Sequence, residues 1–166
     1  MFRKLDLPKH VGGAVFLHSM PGWYEPFEDA LCAMKSCSIT GVISLAPWHE
    51  IQRKGPSYAQ ALESGGFPIA HQFVPIGASG IPPDPQGFVE AVAKAAARVS
   101  AGERLLVHCG VGIGRTGLFA VALLFALGLD RVKALSVVEA AGSRPETREQ
   151  KQFLEEVDKI LAERGL

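Results

Sequence analysis

Cysteine is scarce in this chain: three residues in 166, and no two spaced as C-x-x-C. A small, odd number gives no disulfide scaffold. Without C-x-x-C pairs, a four-ligand zinc set has no spacing to use. Excess charge is missing too, since 17 Lys and Arg face 17 Asp and Glu. That balance gives no footing for nucleic acid or an anionic membrane. The longest apolar run, Leu118 to Leu129, is too short to span a bilayer and reads as a buried helix. No cationic stretch followed by an apolar signal core stands at the start. The expected compartment is therefore the cytoplasm, where reducing conditions keep a reactive thiol reduced. There is no internal repeat, and the alanine-rich Ala91 to Ala97 is simply good helix-forming sequence. A chain of 166 residues suits one domain over 1–166 with a sizeable core.

What is present is concentrated in Val107-His108-Cys109-Gly110-Val111-Gly112-Ile113-Gly114-Arg115-Thr116-Gly117. An apolar run leads into it and another leads out, the pattern of strand, tight loop and helix. Gly110, Gly112 and Gly114 let backbone N–H groups converge without Cβ clashes. A helix N-terminus at that point favours an anion through its orphan N–H groups and its dipole. The same field favours a thiolate at Cys109, and Arg115 offers a planar fork matched to phosphate oxygens. The loop thus holds the parts for phosphoryl transfer to sulfur. Gly112 to Gly117 also fits G-x-G-x-x-G, a dinucleotide fingerprint. That reading needs a following strand ending in an acid about 20 residues on. Glu139 stands near that distance, but Arg131 to Ala141 reads helical. A structural cysteine is the common fate of a lone Cys, yet it leaves Arg115 and the glycines unexplained.

Periodicity predicts strands at Ala14 to His18, Gly41 to Leu45, within Ile69 to Ile76, and at Arg104 to His108. Helices are predicted over Pro26 to Cys37, Pro47 to Lys54, Ser57 to Ser64, Asp84 to about Ser100, Thr116 to Leu127, Asp130 to Ala141 and Glu146 to Glu163. Strands alternating with helices indicate an α/β fold, a mostly parallel central sheet with helices on both faces. The Cys109 loop then falls at the carboxyl end of a strand, where such sheets bind ligands.

His-Cys-x5-Arg-Thr resembles the signature of the cysteine-dependent protein tyrosine and dual-specificity phosphatases. Weaker motifs narrow the likeness. Ser19-Met20-Pro21-Gly22 follows the first strand, and Met34 to Ile39 ends the first helix. Glu50-Ile51, Val74-Pro75-Ile76 and Arg144 to Gln150 follow in order. Together they are similar to the kinase-associated phosphatase branch, from about Val15 to the last helix. The resemblance implies that Cys109 attacks phosphorus to give a cysteinyl-phosphate and that Arg115 binds the equatorial oxygens. It implies that Thr116 stabilises the sulfur and His108 tunes the loop. The backbone from Gly110 through Val111, Gly112, Ile113 and Gly114 to Arg115 would cradle the phosphate.

Two departures stand out. The family's acid loop carries an Asp after Pro-Ile-x, and here Pro75-Ile76-Gly77-Ala78-Ser79-Gly80 puts Ala78 at that position. Asp84 lies six residues later, just before Pro85, and reads as a helix N-cap or as a replacement acid. Three explanations stand open: an engineered substrate trap, another acid such as Asp84 or Glu50, or a module that has lost turnover. In the last segment the family often has two glutamines. Glu146 takes the first place, and Gln150 takes the second, either positioning water or lying exposed on the helix. His10, His18, His49 and His71 read as surface or strand-end residues. Trp48 borders the mouth or packs, and Lys54 reads as a solvated helix end.

The expected activity is hydrolysis of phosphotyrosine, and of phosphoserine or phosphothreonine, on protein by a monomer. No metal, cofactor, nucleic acid or membrane is expected to take part. The alternative is a phosphoprotein-binding module lacking its acid. The apolar Val111 and Ile113, where lysines would suit an inositol phosphate, favour protein substrates.

Overall fold

Apolar residues of β2 (Ala14–His18), β3 (Gly41–Ser44) and β5 (Arg104–His108) divide by parity. Val15, Leu17, Ile43, Leu105 and Val107 join one buried cluster, while Ala14, Phe16, Val42 and Leu106 join another. Side chains alternate between faces with a period of two. The middle residues of these strands are apolar on both sides because both faces are covered. The computed structural model that shows this describes residues 1–78 and 80–166. Ser79, in the loop read above as the acid loop, lies outside the described residues.

The sheet order is β1-β2-β5-β3-β4. Central β5 runs parallel to β2 and β3, and β4 (Ala70–Phe73) runs parallel to β3. At the far edge β1 (Arg3–Lys4) pairs antiparallel with β2. On one face pack α4 (Pro85–Ser100), α5 (Gly114–Ala126), α6 (Arg131–Ala140) and α7 (Arg148–Glu163). On the other lie α1 (Phe27–Ser36), α2 (Trp48–Lys54) and α3 (Pro56–Glu63). This is the α/β sheet covered on both faces that alternation implied. Helix α5 is buried from Gly114 to Phe125, walled by α4, α6 and α7. That burial is why its sequence is apolar all round, and among the described residues no helix is long and apolar enough to cross a membrane.

Differences from the sequence reading have local causes. β1 was not anticipated, since two residues carry no period. The strand read within Ile69 to Ile76 is regular only to Phe73, where Pro75, lacking an N–H, ends the ladder. Val74 and Ile76 still donate to Ser44 and Leu45 carbonyls, both at 2.9 Å. Helix α5 begins at Gly114 rather than Thr116, which places Arg115 in its first turn. Helix α7 begins at Arg148 rather than Glu146, because Thr147 caps it. Thr147 Oγ1 accepts the Gln150 N–H at 3.1 Å and Gln150 Oε1 accepts the Thr147 N–H at 3.3 Å, a reciprocal capping box.

Candidate active site

β5 delivers His108 and Cys109 to the carboxyl edge of the sheet, and α5 leaves from Gly114. Between them the loop is held from outside by its carbonyls. Gly110 O accepts the Met20 N–H at 2.7 Å. Gly112 O accepts the Ser143 hydroxyl at 2.7 Å and the Arg3 guanidinium. Ile113 O accepts the Gly117 N–H at 2.7 Å and the Arg144 N–H at 3.3 Å. In a trans peptide the C=O and the following N–H point in opposite directions. Outward carbonyls at Gly110, Gly112 and Ile113 therefore turn the N–H groups of Val111, Ile113 and Gly114 inward. Gly112 N–H donates to Cys109 Sγ at 3.2 Å. Its φ of +83° and the His18 carbonyl, 2.3 Å from where a Cβ would stand, admit only glycine there. Cys109 is buried, and Val111 stands half-exposed at the crest.

Arg115 is buried and aimed by Glu50. Its Nη1 donates to Glu50 Oε2 at 2.8 Å and to Ile76 O at 2.9 Å, and its Nη2 donates to Glu50 Oε1 at 2.9 Å. A guanidinium has five N–H donors. Among the described residues these three bonds leave the Nε–H and one Nη2–H on the edge toward Cys109. The Arg115 hydrogen bonds, with help from Lys54, hold the Glu50 carboxyl down at about 2 against its burial. Burial works against the Arg115 charge, but Glu50 and the nearby Cys109 sulfur outweigh it and raise the group above its ordinary value. Glu50 is thus held in its ionised form by Arg115 and Lys54. Lys54 Nζ bonds Glu50 Oε1 at 2.8 Å and lies 4.0 Å over the Trp23 ring, so it belongs to the site wall rather than to a solvated helix end.

His108 is fully buried. Its Nδ1 lies 3.0 Å from Cys109 O, and its Nε2 lies 3.1 Å from Tyr58 Oη. A carbonyl only accepts, so Nδ1 carries the hydrogen, and burial pushes the imidazole down to about 3, keeping it neutral. Tyr58 then donates to His108 and accepts from His71 Nε2 at 2.8 Å. Thr116 is buried, and its Oγ1 has no hydrogen-bond partner among the described residues. The contact with the sulfur expected of it is not formed.

Two expected site residues are employed elsewhere. Asp84 is the N-cap of α4, its carboxylate accepting the Gly87 N–H at 3.1 Å, and it is corrected from candidate acid to cap. Gln150 is buried, not exposed. Its Oε1 accepts the Glu146 N–H at 2.8 Å and its Nε2 donates to Gly80 O at 3.2 Å. It joins the turn before α7 to the loop carrying Ala78. Ile76 O on Arg115 and Gly80 O on Gln150 pin both ends of the loop carrying Ala78, which is exposed. Glu146 lies against the cradle: its Oε2 stands 2.5 Å from where a Cβ on Gly114 would be.

Of the histidines, His10 and His49 are exposed, while His18, closing β2, is buried and bonds Glu25 at 3.0 Å. Cys32 and Cys37 stay with α1, and Cys37 packs in the cluster on the opposite face from Cys109. Among the described residues no group of three or more His, Cys, Asp or Glu could hold a metal.

The family model PTP-SAK, "Swiss Army Knife protein, DSP-PTPase phosphatase domain", matches residues 24–162. No curated protein matches the chain. Among solved structures, kinase associated phosphatase with its catalytic-site cysteine replaced by serine is 20% identical, with a TM-score of 0.83. That match covers 98% of this chain and 96% of the other. Tk-PTP in its active form is 24% identical with a TM-score of 0.67, covering 95% and 97%. PTPMT1 is 17% identical with a TM-score of 0.74, covering 99% and 98%. At these identities the likeness is one of fold.

Proposed function

The chain belongs to the DSP-PTPase phosphatase domain family of Swiss Army Knife proteins, and from that premise we propose that it is a phosphoprotein phosphatase working through a cysteinyl-phosphate. The observation that carries this reading is the loop itself, with its carbonyls bound on the outside, its N–H groups turned inward around Cys109 and the free edge of Arg115 beside them. A phosphate seated there meets the loop N–H groups, the α5 dipole and a guanidinium fork. Cys109 Sγ attacks phosphorus in line, forming S–P as the P–O bond to the substrate breaks. The leaving oxygen takes a proton. Ala78 has none to give, Glu50 is held ionised by Arg115, and Asp84 caps α4. In this reading Glu146, beside Gly114, donates that proton. Its carboxylate then takes a proton from the water that attacks phosphorus, S–P breaks, and phosphate leaves with Glu146 protonated again. Phosphotyrosine is the substrate this reading favours, with phosphoserine and phosphothreonine beside it, because the crest residues Val111 and Ile113 are apolar.

Hydrolysis of an aryl phosphate tests the mechanism. Cys109→Ser is expected to abolish turnover and phosphoenzyme formation while still binding tungstate in the loop. Normal turnover in that variant would refute the mechanism.

A further inference from the structure

Arg3 stands outside the matched family region and outside the Cys109 loop, on the two-residue edge strand β1. Its pairing with Leu17 in β2 carries its side chain across to the back of the loop. There Nη2 donates to Gly112 O. The two N–H groups of Nη1 are shared among Gly142 O, Ala141 O at 3.2 Å and Ser143 Oγ at 3.1 Å. Ser143 Oγ in turn donates to Gly112 O at 2.7 Å. One guanidinium therefore joins three elements: the edge strand, the phosphate loop and the turn after α6.

The peptide between Gly112 and Ile113 is the one whose orientation matters most. Its neighbour on the N-terminal side already donates N–H to Cys109 Sγ. With φ at +83°, Gly112 lies where a glycine has broad freedom, so nothing in its own residue type prevents that peptide from rotating. Rotation would turn the Ile113 N–H out and the Gly112 carbonyl toward the anion, replacing attraction by repulsion. Two donors on the Gly112 oxygen, one of them charged, oppose that rotation. Burial pulls the Arg3 guanidinium down from its ordinary value, and attraction to the Cys109 sulfur opposes this.

We infer that Arg3 is a positioning residue for phosphate binding, holding the Gly112–Ile113 peptide with its N–H toward the ligand while touching neither substrate nor sulfur. This rests on the reading of the Cys109 loop as a phosphate cradle. Lysine at position 3 supplies the charge without the fork that spans Gly112 O, Gly142 O and Ser143 Oγ, so it restores binding only in part.

Tungstate affinity by calorimetry, measured well below the melting temperature, tests the inference on the full chain with Arg3→Met, Arg3→Lys and Ser143→Ala. The expected result is a loss of roughly tenfold or more for Arg3→Met, the scale of a charged hydrogen bond. Arg3→Lys should be intermediate and Ser143→Ala weaker in effect. For an aryl phosphate the loss in Arg3→Met should fall on KM more than on kcat, a split that a merely structural strap would not give. Wild-type affinity in both Arg3→Met and Arg3→Lys overturns the assignment. If Arg3→Met does not fold, Arg3→Lys and Ser143→Ala decide by the same measurement. Failure of the wild-type protein to bind tungstate overturns the cradle reading instead.

Discussion

Replacing Glu50 by Gln removes the anion that aims Arg115. The carboxyl falls from 4.5 to about 2 in the folded protein, with hydrogen bonds from Arg115 as the first cause. A drop of about 2.5 units, at 1.36 kcal/mol each, corresponds to about 3 kcal/mol of stability tied to ionised Glu50. Because the folded value is depressed, this contribution is fully present above about pH 4.5 and is lost as the pH falls toward about 2. Glu50→Gln should therefore lower the melting temperature at neutral pH by roughly 6–12 °C, at 2–4 °C per kcal/mol for a chain of this length. The gap between variant and wild type should narrow as the pH is lowered from about 5 toward 3. Scanning calorimetry across that range reads both quantities. Turnover of an aryl phosphate should fall together with stability, since the free Arg115 edge loses its direction. Equal melting temperatures at neutral pH, or a gap that does not shrink on acidification, would refute this account of the pair.

Other outcomes follow from the same geometry. Glu146→Gln should lower kcat/KM for phosphotyrosine by about 10²–10⁴ and that for an ester with an acidic leaving group much less, since kcat/KM reports the transfer to sulfur and only the former substrate needs full protonation there; an equal fall in kcat/KM for both removes Glu146 from the acid role. Ala78→Asp, placed in the Glu146→Gln background, should restore kcat/KM for the poor leaving group selectively, and unchanged leaving-group dependence would show that the Pro75–Gly80 loop is not the acid loop. Tyr58→Phe leaves His108 Nε2 buried without its donor, so urea unfolding should show a loss of about 1–3 kcal/mol; no change would mean that the His71–Tyr58–His108 chain carries no stability.

The sheet and most helices were legible because long apolar periods report burial directly. The Cys109 loop was legible because its glycines and its place between a strand and a helix serve one geometry. What escaped the sequence depends on contacts between distant residues. Arg3 lies in an element too short to have a period. Lys54 and Tyr58 read as ordinary helix residues, and only the fold brings one over Trp23 and the other against His108. The burial of Gln150 escaped the sequence because a capping glutamine that is buried looks in sequence like one that is exposed. The Ser or Thr followed three residues later by Gln, here Thr147 and Gln150, was the available signal. Asp84 before Pro85 was legible as a cap, and it is one.

The partners of the Cys109 loop come from far along the chain. Gly112 is tied to a residue 109 positions away, Arg115 to one 65 positions away and another 39 away, and Ser143 reaches back 31. Closing loops of that size is unfavourable until the rest of the sheet rewards it. The shape of the loop therefore depends on β2, β3 and β5 having come together. A short synthetic peptide from Val107 to Gly117 would hold the same residues and form no anion cradle. A cradle whose walls come from such distant parts of the chain exists only in the completed tertiary structure.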